Sequence, residues 1–185
     1  DVSGGPPISL CDVPMERGGT WSKDGVIVFA PSSSSDLQKV SASGGVPSAA
    51  TTLARGERGE IQPYFLPDGR HFLYRAVSAN TSAATAVPGG LILGSLDSTE
   101  RKLFLNTDAQ VVAFSKGHLL FLRETTLMAQ PLDMQKLELT GEPFPIAEDI
   151  RTNGGGNQYA NFSASENGVL AYQTGGALAG SQLTW

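Results

Sequence analysis

The sequence predicts an all-β chain, a β-propeller fragment of four-stranded antiparallel blades, and three observations carry that prediction. Glycine and proline hold 22 and 11 of the 185 positions, a composition that favours turns over long helices. Apolar residues come in short blocks such as Val26-Ile27-Val28-Phe29-Ala30, of strand length and far below the roughly 20 residues of a bilayer-spanning helix. Most telling is a repeat: an aromatic residue, a turn with glycine and a second apolar run recur four times. The opening aromatics stand at 21, 65, 114 and 162, in steps of 44, 49 and 48 residues. A four-stranded propeller blade has a period of about 40–50 residues.

The elements follow in chain order. Residues 8–13 read as the last strand of a preceding blade. Trp21-Ser22-Lys23-Asp24-Gly25 then opens the first full blade, and Asp-Gly between apolar runs predicts a two-residue hairpin turn with positive φ. Phe65-Leu66-Pro67-Asp68-Gly69 opens the second in the same way. Phe114-Ser115-Lys116-Gly117 opens the third without the aspartate, and Phe162 leads to Asn167-Gly168 in the fourth. Third strands are expected over 36–41, 91–96 and 126–132, and fourth strands over 49–53, 101–105 and 143–149. The stretch 133–141 is expected to form a short helical turn, the one departure from strand in the chain. These assignments give complete blades at about 19–53, 62–105 and 111–149, with partial blades at 1–18 and 161–185. Such a fragment leaves unpaired sheet edges, which are expected to pair with the rest of its own propeller or with a second copy.

The chain carries 13 Lys and Arg against 18 Asp and Glu, a net charge of −5, so a broad phosphate-binding surface and hence nucleic acid are not expected as partners. No apolar stretch calls for membrane contact by this segment. A lone Cys11 permits neither an intrachain disulfide nor a multi-cysteine zinc site. The start at Asp1, without methionine or a secretion signal, reads as a piece of a longer polypeptide.

The blade pattern, aromatic-Ser/Leu-x-Asp-Gly followed by an apolar strand, resembles the TolB-like, WD-type propeller repeats of bacteria. Gly19-Thr20-Trp21-Ser22-Lys23-Asp24-Gly25, Phe65-Leu66-Pro67-Asp68-Gly69-Arg70, Thr126-Leu127-Met128-Ala129-Gln130-Pro131, Leu139-Thr140-Gly141-Glu142-Pro143 and the closing Gln182-Leu183-Thr184-Trp185 are similar to the C-terminal propeller of bacterial eukaryote-like serine/threonine protein kinases. The resemblance implies an extracytoplasmic sensor or protein-interaction module, periplasmic or at the cell surface, joined to a kinase domain by a membrane helix. The kinase's His-Arg-Asp, Asp-Phe-Gly and Gly-rich loop motifs are not in this sequence. No catalytic residue, cofactor or metal is therefore assigned, and the chain itself is expected not to be an enzyme.

Other candidates have simpler explanations. His71 and His118 hold matching places at second-strand entrances, where repeat geometry separates them by a blade, and a metal needs three or four convergent ligands. Asp24, Asp68 and Asn167 each precede a turn glycine and are explained by local backbone hydrogen bonding. Asn153-Gly154-Gly155-Gly156-Asn157 lacks the Lys-Ser/Thr ending of a phosphate cradle. Trp21, Phe65, Phe114 and Phe162 read as packing between blades. What remains is the loop face, where binding residues concentrate on a rigid scaffold. It gathers 54–61, 77–90, 106–110 and 151–159, and its charged members Arg55, Glu57, Arg58, Glu60 and Asp108 are the expected contacts for a protein or small-molecule partner. Two other settings remain open: the gating propeller of a prolyl-oligopeptidase-type peptidase and a Tol-Pal-like periplasmic binding protein.

Overall fold

The structure is a computed structural model and describes residues 9–79, 90–106, 112–153, 159–175 and 183–184. Every regular element among them is a strand. The chain divides into two compact units, Asp1–Pro88 with Leu93–Lys102, and Gly89–Ile92 with Leu103–Trp185.

In the first unit, β1 (Gly19–Trp21), β2 (Val26–Phe29), β3 (Gln38–Ser41) and β4 (Ser48–Ala49) form an antiparallel meander in that order. A second meander runs β5 (Glu57–Phe65), β6 (His71–Ser78), β7 (Gly90–Ser95) and β8 (Lys102–Leu105), the unit boundary falling within its last two strands. Val28, Leu37, Ile61, Leu66, Phe72, Leu73 and Tyr74 are all but sealed from solvent. Each such side chain contributes about 1.5–3 kcal/mol by leaving water. Phe72 is the hub, edge-on to Phe65 at 5.8 Å and tilted against Tyr74 at 5.9 Å.

In the second unit, β9 (Val112–Ser115), β10 (His118–Arg123) and β11 (Thr126–Asp133) are extended by β12 (Glu138–Leu139) and β13 (Phe144–Ala147), both paired with β11. Leu119, Leu120, Phe121 and Leu122 are buried in succession, so both faces of β10 are covered. The ribbon β14 (Thr152–Asn153) and β15 (Tyr159–Ala160) precedes a three-stranded sheet of β16 (Phe162–Ala164), β17 (Leu170–Gln173) and β18 (Leu183–Thr184).

The turns invert one expectation. Ser22 and Val26 are bonded N–H to carbonyl at 2.8 Å, the Gly25 N–H returns to the Ser22 carbonyl at 3.1 Å, and of the turn residues Gly25 alone has positive φ, at 77°. That is a three-residue loop, a type I turn closed by a left-handed glycine. Ser165–Val169 repeats it, with Gly168 at φ 95°. The two-residue hairpin occurs in the copy that lacks the aspartate: Ser115 pairs with His118 while Lys116 and Gly117 sit at φ 45° and 77°.

Four further differences appear. Residues 9–13 form no strand; the chain at Met15 and Arg17 is held instead by N–H bonds to the carbonyls of Pro31 and Ala30. The expected helical turn at 133–141 is a tight turn into β12, with the Asp133 carboxylate accepting the N–H groups of Gln135 and Lys136 at 2.9 and 3.1 Å. Trp21, expected in packing, is 64% exposed, whereas Phe65 is 8% exposed. Lastly, β5 begins at Glu57 rather than near residue 62, because two irregularities, after Glu57 and after Ile61, let it bend and keep its ladder to β6.

Candidate functional site

The early start of β5 decides the fate of the predicted contact residues. Glu57, Arg58 and Glu60 belong to a strand and not to a loop. Glu60 is completely buried, and its backbone N–H bonds the Ser35 carbonyl at 2.9 Å. Its side chain accepts the Leu37 N–H at 3.3 Å and the Thr51 hydroxyl through one oxygen, Oε2. The other oxygen, Oε1, is ion-paired with Arg101 at 3.5 Å. The Glu57 side chain is only 5% exposed, accepts the Ala54 N–H at 2.9 Å and receives both terminal nitrogens of Arg101, one of them at 2.7 Å. Glu60 thus cannot face a partner from this position, and Glu57 is committed to Arg101.

Arg55, in the connection before β5, and Arg58, in β5 itself, are exposed. Asp108 lies outside the described residues, as do most of 77–90 and parts of 106–110 and 151–159. The structure brings Glu57 and Glu60 together and leaves the two arginines on the surface.

Sequence reasoning missed Arg101, Tyr74 and Thr51, which complete the cluster. The Arg101 guanidinium carbon sits 5.9 Å from the centre of the Tyr74 ring, a cation–π arrangement. Burial, helped by the nearby Glu60 charge, pushes the Tyr74 hydroxyl well above its ordinary pKa. Burial likewise raises Glu60 above the usual carboxylate range, against the lowering influence of Thr51, the Leu37 N–H and Arg101. Beside the cluster lies a shallow notch of about 10 Å³, room for about one water, bordered by Thr51, Thr52, Tyr74, Ser98, Thr99 and Arg101.

The histidines occupy unrelated settings. His71 Nδ1 lies 2.6 Å from Asp68 Oδ2, and Asp68 Oδ1 accepts the N–H groups of Arg70 and His71, each at 2.9 Å. Partial burial alone would raise the Asp68 pKa, but these bonds hold it below its ordinary value. His118 Nδ1 contacts the Lys116 carbonyl at 2.9 Å, and its ring meets Phe144 edge-on. Among the described residues no three His, Cys, Asp or Glu side chains gather as a metal site would require.

No protein-family model matches this chain, and no characterised protein matches it in sequence. Solved structures do resemble it. A regucalcin, a calcium-binding protein of Agrobacterium tumefaciens, aligns with a TM-score of 0.57 and 16% identity over 86% of this chain and 53% of its own. TolB from Acinetobacter baumannii aligns with a TM-score of 0.59 and 15% identity over 91% of this chain and 40% of its own. A puromycin-hydrolysing peptidase of Mycobacterium tuberculosis aligns at 0.57 and 11% identity, over 84% and 34%. At these identities the likeness speaks for the fold, and the fold is that of a β-propeller fragment with four-stranded antiparallel blades. The chain spans about half or less of the length of these three structures.

Proposed function

We propose that the chain is a non-catalytic propeller segment that presents its loops to a protein or small-molecule partner, as the extracytoplasmic part of a bacterial serine/threonine kinase-like receptor. The observation that carries the binding role is a sorting of charge in 54–61: Arg55 and Arg58 stand in solvent, while Glu57 and Glu60 are withdrawn beneath them and occupied. A segment with as many acids as bases thereby offers positive charge outward, which suits an acidic partner. The kinase setting rests on the resemblance of the blade motifs, and the likeness to TolB supports a place outside the cytoplasm. The net charge of −5 argues against nucleic acid as the partner.

The experiment is a charge reversal in the full polypeptide, Arg55→Glu with Arg58→Glu, followed by quantitative affinity enrichment against the parent protein. At least one specific partner drops tenfold or more; an unchanged partner set overturns the assignment. A second reading, the gating propeller of a prolyl-oligopeptidase-type peptidase, is favoured by the structural likeness to the puromycin-hydrolysing peptidase, and a Tol-Pal-like binding protein by that to TolB. The flanking reading frame separates them. A kinase domain and an apolar span upstream fit the first, a hydrolase domain downstream the second, and a secretion signal without a kinase the third.

A further inference from the structure

An irregularity in β5 sets an arginine beside a serine-rich loop. In the β5–β6 ladder Glu57 faces Ser78 and the next pair is Gly59 with Val77, so Arg58 has no residue opposite it. An extra residue of this kind bends its strand and re-aims its side chain, and Arg58 is exposed. Next to it, Gly59 has no side chain to hold a neighbour off. The Ser33 carbonyl carbon and the Ser34 nitrogen lie 2.7 and 2.9 Å from where a methyl group would stand. The Glu60 N–H then bonds the Ser35 carbonyl at 2.9 Å. The β2–β3 loop is thus fastened to the strand on either side of Gly59, directly after Arg58.

Arg55 is held from the other end. The Glu57 N–H bonds the Ala54 carbonyl at 3.1 Å, Gly56 turns at φ 91°, and the Gly56 carbonyl accepts the Ala79 N–H at 2.9 Å. Among the described residues the Arg55 and Arg58 side chains have no hydrogen bond or ion pair, because Glu57 is engaged by Arg101 and Glu60 is buried. In the loop, the Ser32 and Ser35 hydroxyls bond each other at 3.1 Å and Ser32 Oγ accepts the Ser34 N–H at 3.1 Å. The Ser33 and Ser34 hydroxyls are left unspent among the described residues, and Ser34 is exposed.

Each guanidinium brings five N–H donors in a planar fork, and the hydroxyls add to them. Donors that arrive from a turn, a bulge and a separate loop exceed what the two oxygens of a carboxylate can use. A phosphate monoester has three terminal oxygens and about two negative charges at neutral pH. We propose that Arg55, Arg58, Ser33 and Ser34 form a receptor for a phosphate monoester carried by the partner. The proposal rests on the reading that this surface meets an acidic partner, and it names the group that the partner brings. One monoester asks only for a local patch, which a chain of net charge −5 can supply where nucleic acid asks for a broad one.

The test titrates the full chain, at constant ionic strength, with N-acetyl-phosphoserine amide and with glycerol 3-phosphate. N-acetyl-aspartate amide is the carboxylate control, and binding is read from amide chemical shifts by NMR. At least one phosphate should saturate, tenfold or more tighter than the carboxylate, with shifts centred on Ser33, Ser34 and Arg58; the tighter of the two identifies an amino-acid or a polyol carrier. Arg58→Lys keeps the charge, loses the fork and should weaken binding at least threefold. Arg55→Ala with Arg58→Ala should weaken it at least tenfold. Shifts that do not saturate, a carboxylate bound as well as phosphate, or Arg58→Lys binding like the parent each overturns the proposal. Partners lost on charge reversal without phosphate binding would sink this site and leave the wider reading standing, whereas phosphate binding with an unchanged partner set does the reverse.

Discussion

Gly59 is the tightest point in the first unit. A methyl group there would meet the Ser33 carbonyl, with the Ser33 carbon at 2.7 Å and the Ser34 nitrogen at 2.9 Å, all backbone. Gly59→Ala should lower stability by about 1–3 kcal/mol, as overpacking against atoms that cannot rotate away does, measurable as a fall in the urea midpoint. Glu60 makes a pH-dependent prediction. Its pKa is raised above the ordinary 4.5 in the folded state, so the folded protein holds the proton more tightly than the unfolded chain. The contribution is fully present below that ordinary value and declines as pH rises through the raised one. Stability of the parent chain should therefore fall relative to Glu60→Gln across a urea series taken upward from about pH 4.5; parallel curves would refute the assignment. Neither feature was legible in sequence. Gly59 reads as one more loop glycine until Ser33 is placed over it, and Glu60 reads as a surface acid until β5 is seen to start at Glu57.

At the level of the strand and its turn, period and composition foretold much and geometry supplied the rest. The four aromatics do take first-strand places, Trp21 in β1, Phe65 in β5, Phe114 in β9 and Phe162 in β16. Phe162 stands six residues before its turn glycine where Trp21 and Phe65 stand four, a shift of two that keeps it on the same face. Turn type was not legible, because Asp-Gly serves a three-residue loop as well as a two-residue one and register alone decides. Lys116 shows the consequence: an ordinary side chain held at φ 45°. Replacing it with asparagine, which tolerates that region, should raise stability by about 1 kcal/mol, seen as a higher urea midpoint at unchanged slope. In the second sheet, Phe72→Ala should lower stability by about 3–5 kcal/mol, since Phe72 is wholly buried and touches both Phe65 and Tyr74. Retention of the native midpoint would show that this aromatic row is not the centre of its sheet.

For the molecule as a whole, the all-β propeller class was readable because repeated turn chemistry survives even where single residues diverge. The candidate site was readable only in part, since Arg101 reaches Glu57 across 44 positions of sequence and no local pattern announces such a meeting. Both units leave large apolar side chains in solvent, Trp21 at 64% and Val46 at 92% in the first, Val169 at 59% in the second. Exposed apolar groups beside short edge strands favour association. The isolated chain should therefore run larger than a monomer in light scattering at micromolar concentration, and a monomer that melts cooperatively at high temperature would contradict this.

One arrangement occurs once in each unit. Lys23 lies over Gly69, its Cγ 3.1 Å from where a methyl group would stand, and Lys116 lies over Gly168, with its Cδ at 2.8 Å. The second and fourth repeats thus have the lid over their turn glycine supplied by the repeat before, whereas Gly117 of the third has nothing within 4 Å. Transplanting a single blade into a foreign propeller would strand the lysine from its glycine, and grafts made by recombination should succeed only when the junction carries both halves of that pairing together.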